Sequence, residues 1–598
     1  MNWQILAFVS PSCPRAFLLT SLLFGCVTPV VEEKTVIRFP PANQAREASD
    51  FAAESNQGVV AAAHPLASQA GASMLAQGGN AVDAAVAASF VISVVRPQST
   101  GIGGGGFLIY HDAAIGRQKV LDFRERAPKK SSKNMFLDPS GAYKSVKYGG
   151  APVPNPAVNG HLSVGVPGLV KGLLAIHKEQ GKLELSTVMA PAIKIAESGF
   201  DVYPALERDI KSRQNILVLF PSSKNLFLPG GVPLKAGQKL IQTDLAETLK
   251  QISKVGASAF YEGAISKKII AEMRRGGGLI EASDLRDYRV IERVAVSGHY
   301  RGHKVVSMPP PSSGGTHIIE MLNMLEPFDL TKLHPRGAKY LHLLSEVMRR
   351  AFSDRAKEMG DSDFVDVPVA RLTSKAYAKR LMQNFNEEKA SLSKDFESSA
   401  ASGESPSTTH ISVIDKWGNA FASTLTVNYS FGSCVVAEGT GIVLNDEMDD
   451  FTTRPGAQNV FGLVTGAKND VAPGKTPLSS MSPTLVFNKE GQLELVVGSP
   501  GGPRIINATL QTIINVIDFK MSLLDAVHAT RIHHQWIPDV ISHESRSLDP
   551  DTRQRLKALG HQLSDIDAIG DVQAAQRLES GRYVGVSDSR GEGKPAVP

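Results

Sequence analysis

From residue 386 to residue 407 the chain reads NEEKASLSKDFESSAASGESPS, and at Thr408 it turns without transition into TTHISVID. The first stretch is charged, Ser-rich and free of apolar periodicity, the composition of a mobile loop. The second alternates apolar and polar residues; KWGN supplies a turn and AFASTLTVN a second strand, so the pair predicts a β-hairpin. A strand destined for the middle of a sheet seldom begins from such a loop unless the join is cut. If the Ser407–Thr408 bond breaks, Thr408 gains a free α-amino group with an ordinary pKa of about 8. One residue then carries both a hydroxyl nucleophile and the base that activates it. Before the cut that nitrogen is an amide and cannot act as a base, so cleavage would switch the chemistry on. By composition alone the better reading of Thr408 is a β-branched strand residue, because Thr is common in strands.

The rest of the chain supplies a core for that hairpin. VVAAAH after Gly58 suits a buried strand, HPLASQAGASMLAQGG has helical spacing with a Gly-Gly stop, and NAVDAAVAASFVISVV reads as a second helix capped by Asn80. Helical patterns recur at 190–198, 245–252 and 340–351, and in INATLQTIINVID and LLDAVHATRIH. TLVFN and LELVVG read as strands. Alternating helices and buried strands predict a layered α/β architecture. GIGGGGFLIY formally matches the dinucleotide fingerprint G-x-G-x-x-G, with Asp122 near the offset of a ribose-binding acid. The mechanism needs a strand before the glycines and a helix after them. Here the order is reversed, so the glycines read as sites of close backbone approach, and a nucleotide-dependent oxidoreductase is the most distant reading.

TTHISVIDKWGNAFASTLTVN closely resembles the start of the small subunit of gamma-glutamyltransferases. GGNAVDAA, GIGGGGF, LDFRERAP, VGVPG, NDEMDDF, PLSSMSPT, GSPGGPRI and HHQW extend the resemblance over nearly all the chain after residue 57. It implies the four-layer αββα sandwich of N-terminal-nucleophile hydrolases, α/β (α+β) in class, built jointly by a large subunit (58–407) and a small one (408–598) cut from one precursor. It implies self-cleavage at Ser407–Thr408 with Thr408 as nucleophile, Thr426 as its hydrogen-bonding partner, and Gly501 and Gly502 as donors of an oxyanion hole. Arg124, Ser479 and Ser480 would hold the α-carboxylate of a γ-glutamyl donor, and Asn428, Glu447 and Asp450 its α-ammonium. The reaction would be ping-pong acyl transfer from glutathione or a related compound to water, an amino acid or a dipeptide, with no cofactor and no metal. PGAQNVFGLVTG matches the family's lid loop, where Phe461 replaces a frequent Tyr. Two rivals remain: an acylase of the same fold acting on cephalosporin or glutaryl substrates, and an uncleaved, lipid-anchored binding protein.

Arg15, the apolar run AFLLTSLLFG and Cys26 look like an export signal over residues 1–25, with LFGC resembling a lipobox whose Cys26 bears the lipid. Residues 26–57 read as a tether. The chain is then expected to be exported to the periplasm, with an outer-membrane lipid anchor if Cys26 is modified. Of three cysteines, Cys13 and Cys26 fall in or beside that leader; Cys434 stands alone and reads as a small buried hydrophobe. A formal charge of +5 spread over 64 basic and 59 acidic residues leaves no run suited to nucleic acid. Adjacent His533 and His534 point in different directions on a regular element, so HHQW reads as structural rather than metal-binding.

Overall fold

The computed structural model describes residues 50–393, 407–454, 459, 462–463, 465–545 and 547–598. The leader with Cys13 and Cys26, most of the expected tether, most of the Ser-rich segment, and Phe461 of the expected lid lie outside the described residues.

In chain order the strands of two main sheets are β1 (Ala52–Ser55), β2 (Gly58–Ala62), β3 (Gly105–Asp112), β4 (Arg117–Asp122), β5 (Ile291–Arg293), β6 (Val296–Tyr300), β7 (His303–Ser307), β8 (Thr409–Asp415), β9 (Ala420–Thr426), β10 (Thr484–Phe487), β11 (Leu493–Gly498), β12 (Gln573–Arg577) and β13 (Tyr583–Ser587). One sheet has the order β2-β8-β9-β3-β4-β5 and the other β1-β13-β12-β11-β10-β7-β6. All neighbours in both are antiparallel. The expected hairpin is present as β8 and β9, with Thr409 opposite Leu425 and Ile414 opposite Ala420. It sits between β2 and β3, at the centre of its sheet. Segments before and after Thr408 contribute strands to both sheets.

Period-two alternation sends side chains to opposite faces of each strand. Val59, Phe107, Ile109 and Ile414 from one sheet join Leu485, Val496 and Ala575 from the other in one buried cluster. Their neighbours Val60, Leu108, Tyr110, Ile411 and Val413 pack instead with helical residues such as Val86 and Phe90. His410 and Ser412 share the inter-sheet face with Ile414. A Cβ at Gly498 would meet the His410 ring at 2.3 Å, and Ser412 Oγ donates to the Gln573 carbonyl at 2.9 Å.

The helices that matter for the site are α1 (Pro65–Ala76), α2 (Ala81–Val95), α3 (Leu185–Ser198), α4 (Thr243–Val255), α5 (Gly314–Leu325), α6 (Ala338–Glu358), α7 (Arg504–Ile517) and α8 (Leu523–His528). Asn80 caps α2 as expected: its side chain accepts from the Val82 and Asp83 amides, and the Asp83 carboxylate accepts in return from the Asn80 amide. Such a reciprocal cap is worth about 1 kcal/mol. The patterns at 190–198, 245–252 and 340–351 fall inside longer helices.

Two sequence expectations need correction. The tether does not reach residue 57, because Ala52–Ser55 pairs antiparallel with β13 and Phe51 is buried. LLDAVHATRIH is not one helix: α8 stops at His528, and Ile532–His533 pairs as a short strand with Ile541–Glu544. Buried Arg531 draws the chain out of helical geometry there, its amide donating to Glu544 and its guanidinium pairing with Asp588. The glycine run binds backbone, as its reversed order suggests. A Cβ on Gly104 would lie 2.0 Å from the Thr426 carbonyl oxygen, and one on Gly103 2.2 Å from that of Val443.

Candidate active site

Thr408 stands where the chain enters β8, buried, with φ of +125°. A β-branched residue in that region is strained by about 1–3 kcal/mol, and the strain lies on the nitrogen shared with Ser407. Thr408 Oγ1 is 3.1 Å from Thr426 Oγ1, at the end of the neighbouring strand β9. Thr426 Oγ1 already accepts from the Asn428 amide at 2.8 Å. Its hydroxyl proton is therefore free to be donated to Thr408.

A cavity opens beside these hydroxyls, and Arg124, Asn428, Glu447, Asp450, Ser479, Ser480 and Gly502 line it together with Thr408 and Thr426. The sequence scatters these residues over nearly four hundred positions; the two sheets gather them. Arg124 follows β4, its guanidinium almost wholly buried. Nε donates to the Pro477 carbonyl at 3.0 Å, Nη2 to Asp450 Oδ2 at 2.5 Å, and Nη1 pairs with Glu447. Burial alone would lower the Arg124 pKa, but Glu447 and Asp450 hold it above its ordinary value. For the acids burial wins: the Glu447 carboxyl is pushed up to about 7 against the pull of Arg124, and Asp450 is raised for the same reason. Asn469 Nδ2 donates to the Asp450 carbonyl at 2.6 Å and Asn459 Nδ2 to its carboxylate at 3.0 Å, fixing the acid in place. The Asn428 amide group is spent on the Asp446 carbonyl at 3.1 Å, which leaves its Oδ1 as an acceptor for a ligand.

Gly501 and Gly502 bring α7 to the cavity from the other sheet. Their φ values of +125° and +54° suit glycine, and among the described residues neither N–H donates a hydrogen bond within the chain. Gly502 lines the cavity, with Gly501 next to it in the chain. With Pro503 capping a 14-residue helix, these amides and the helix N-terminus favour negative charge. The whole arrangement offers a hydroxyl nucleophile, donors for an oxyanion, and a charged end with cations and acids for a zwitterion.

The sequence reading missed Arg355, Glu125 and the apolar wall. Arg355 of α6 lines the cavity, but it lies past the periodic stretch of its helix and in no motif. Glu125 is buried against Glu447 and its carboxyl is held well above the ordinary range by that burial; the motif LDFRERAP contained it without marking it. Leu463, Leu478, Met481 and Ile505 complete the wall. His533 and His534, read as structural, are hydrogen-bonded within the chain, and so is His410, which the sequence left unplaced. His410 bonds Thr424 at 2.8 Å and Ser412 at 3.2 Å, and burial lowers its pKa to about 3. His533 is held by Asn507 and Gln535, and His534 by Asp539. Cys434 is buried, its thiol pushed up to about 11.

The profile described as Gamma-glutamyltranspeptidase matches residues 67–597. The chain is 41% identical over 586 residues to a glutathione hydrolase proenzyme of Escherichia coli, with 97% of this chain and 98% of that protein covered. It is 37% identical over 549 residues to an acylase ACY 1 proenzyme of a Pseudomonas species, covering 91% and 94%. A cephalosporin acylase structure from Bacillus halodurans superposes with a TM-score of 0.81 at 26% identity, over 94% of this chain and 99% of that one.

Proposed function

This chain belongs to the gamma-glutamyltranspeptidase family, and on that premise we propose that it cuts itself before Thr408 and then transfers γ-glutamyl groups from glutathione and related amides. The observation that carries this reading is the pairing of a neutral nucleophilic end with a charged end in one cavity. Two guanidiniums and two carboxylates suit a donor that bears an α-carboxylate and an α-ammonium on the same carbon. Glu447 and Asp450 both pair with Arg124, whereas among the described residues Arg355 has no acid within ion-pair distance and is bonded through serine hydroxyls. On binding, the donor's carboxylate takes the place of acid at Arg124, with Ser479 and Ser480 as further donors, and its ammonium takes the place of the guanidinium among Glu447, Asp450 and Asn428.

In the uncut chain Thr408 Oγ attacks the Ser407 carbonyl, moving the acyl group from nitrogen to oxygen, and water hydrolyses the resulting ester. Release of the strain at Thr408 favours this step. In the mature enzyme the freed amine takes the proton of Thr408 Oγ, which attacks the γ-amide carbon. The amides of Gly501 and Gly502 receive the developing negative charge, where one such donor is worth roughly 2.7–4 kcal/mol. The ammonium returns the proton to the leaving amine, and water or an amino-acid amine takes the acyl group from Thr408. The residues up to Ser407, β1 included, and residues 408–598 then act as large and small subunits interlocked through both sheets, in the four-layer αββα arrangement of N-terminal-nucleophile hydrolases. The inter-sheet core and the helix-covered outer faces support that arrangement. The leader and Cys26 support export with a lipid anchor.

Relatives named as acylases make a glutaryl donor the serious rival. A glutaryl group has no ammonium to meet Glu447 and Asp450, so the acidic half of the charged end would make no contact with it. The deciding measurement compares γ-glutamyl and glutaryl p-nitroanilides, together with N-terminal sequencing of the smaller fragment. A start at Thr408 and preference for the γ-glutamyl donor are expected; preference for glutaryl amides, or a single uncut band with full activity, overturns the proposal.

A further inference from the structure

Arg355 is a buried cation without a carboxylate of its own. It is 2% exposed near the end of α6. Nε donates to Ser313 Oγ at 3.0 Å and Nη2 to Ser480 Oγ at 3.2 Å, while Nη1 is buried with no hydrogen-bond partner. Other buried arginines of this protein are treated differently. Arg349 and Arg350, two turns or less earlier on the same helix, pair with Glu346, and Arg349 also with Asp539. Arg531 and Arg590 pair with Asp588. Among the described residues no acid lies within ion-pair distance of Arg355. Asp450 favours its charge only at longer range, and burial lowers its pKa to about 10.

An unpaired charge in such a place is expensive, and an apolar side chain of similar volume would be cheaper. What makes sense of the expense is an anion that arrives with the ligand. Ser480 Oγ accepts from Arg355, so its own hydroxyl proton is free to be donated onward into the cavity. Ser313 Oγ, held by Nε, donates to the Ser479 carbonyl at 2.8 Å, which fixes the loop that carries both serines. We propose that Arg355 is a second cation for the donor's α-carboxylate, acting across Ser480 and through its free Nη1 opposite Arg124. This rests on the γ-glutamyl reading of the cavity and names a specificity determinant within it.

The test uses p-nitroanilides of γ-glutamate, of glutarate, which keeps the carboxylate but lacks the ammonium, and of 4-aminobutyrate, which keeps the ammonium but lacks the carboxylate. In Arg355→Gln, KM for the first two should rise by about 10- to 100-fold, the scale of one charged hydrogen-bonding group. KM for the 4-aminobutyryl donor should not move, kcat should stay within about threefold, and Arg355→Lys should recover part of the loss because it restores charge without the fork. A loss of equal size on all three donors would mean that Arg355 merely braces the Ser479–Ser480 loop, and unchanged KM values would mean that it does nothing for the donor; either overturns the proposal. Should Arg355→Gln fail to mature, Arg355→Lys is read by the same three-donor pattern. A wild-type enzyme indifferent to the carboxylate sinks the γ-glutamyl reading itself, whereas a discriminating wild type with a uniformly weakened variant sinks only the role given to Arg355.

Discussion

At one end of the cavity Thr408 and Thr426 face each other as neutral hydroxyls 3.1 Å apart; at the other Arg124 is locked between Glu447 and Asp450. The hydroxyl end stores its reactivity in backbone conformation, with Thr408 at a φ that β-branched residues avoid. The charged end stores its specificity in electrostatics, as ion pairs already removed from water. The two ends should therefore fail differently when altered. Damage to the first should appear in maturation and kcat, and damage to the second in KM and in the choice of donor.

The sharpest break is Thr408→Ala. It removes the hydroxyl proposed to attack the Ser407 carbonyl, so the variant should remain one chain near 64 kDa on a denaturing gel. Activity on γ-glutamyl p-nitroanilide should fall by roughly 10⁴-fold or more, as when a nucleophile acting in a unit is lost. Two bands, or residual turnover within a factor of ten, would remove the hydroxyl end from the mechanism.

Arg124→Gln attacks the other end. It strips Glu447 and Asp450 of their partner and the donor of its carboxylate clamp. Two lost charge-assisted hydrogen bonds correspond to about 10²- to 10³-fold in kcat/KM. The loss should lie chiefly in KM, with cleavage at Thr408 intact on a gel. An uncut Arg124→Gln chain would show that the two ends are not separable.

Thr426→Val sits on the boundary. It keeps the shape of β9 but removes the hydroxyl that links the Asn428 amide to Thr408. Slower appearance of the small fragment and a kcat lower by about 10²-fold are expected, the lower range for one positioned proton donor. A change confined to KM would move Thr426 to the recognition end.

How much of this was legible in the chain differs between the ends for a physical reason. The hairpin that begins at Thr408 announced itself through local pattern: a charged, Ser-rich run without apolar periodicity, an abrupt period-two strand, a Lys-Trp-Gly-Asn turn; the choice of Thr408 as nucleophile came from the family resemblance. A hairpin is a short-range object, so β8 and β9 were readable to within one or two residues at their ends. The charged end is assembled from residues 124, 355, 447, 450, 479 and 480 on different elements, and no spacing rule connects them. Family resemblance supplied five of those six. Arg355 belonged to no motif, since its meaning depends on an absent partner rather than on a neighbour in sequence. The antiparallel order of both sheets and the early strand at Ala52–Ser55 were equally hidden, because strand pairing is a long-range property that composition does not carry.

The smallest expected effect tests whether the charged end is electrostatic at all. Burial pushes the Glu447 carboxyl up to about 7, so it is neutral below that pH and ionised above it. Because this shift is upward, ionisation is what the empty fold resists. The resisted charge is offset when a donor ammonium arrives, and binding at neutral pH should release a proton. As pH falls from about 7.5 to about 5.5, KM for the γ-glutamyl donor should rise by roughly 3- to 10-fold, Asp450 retaining part of the attraction. KM for the glutaryl donor, which has no ammonium, should stay flat over the same window. Glu447→Gln should show the acid-limb KM at every pH, since it fixes the side chain in its neutral form. The freed Thr408 amine acts on kcat rather than KM. The two ends thus separate on one pH series: a kcat limb belonging to the hydroxyl end and a KM limb belonging to the acids. If KM for both donors falls and rises together, Glu447 is not reading the ammonium, and the cavity distinguishes its donors by shape instead of charge.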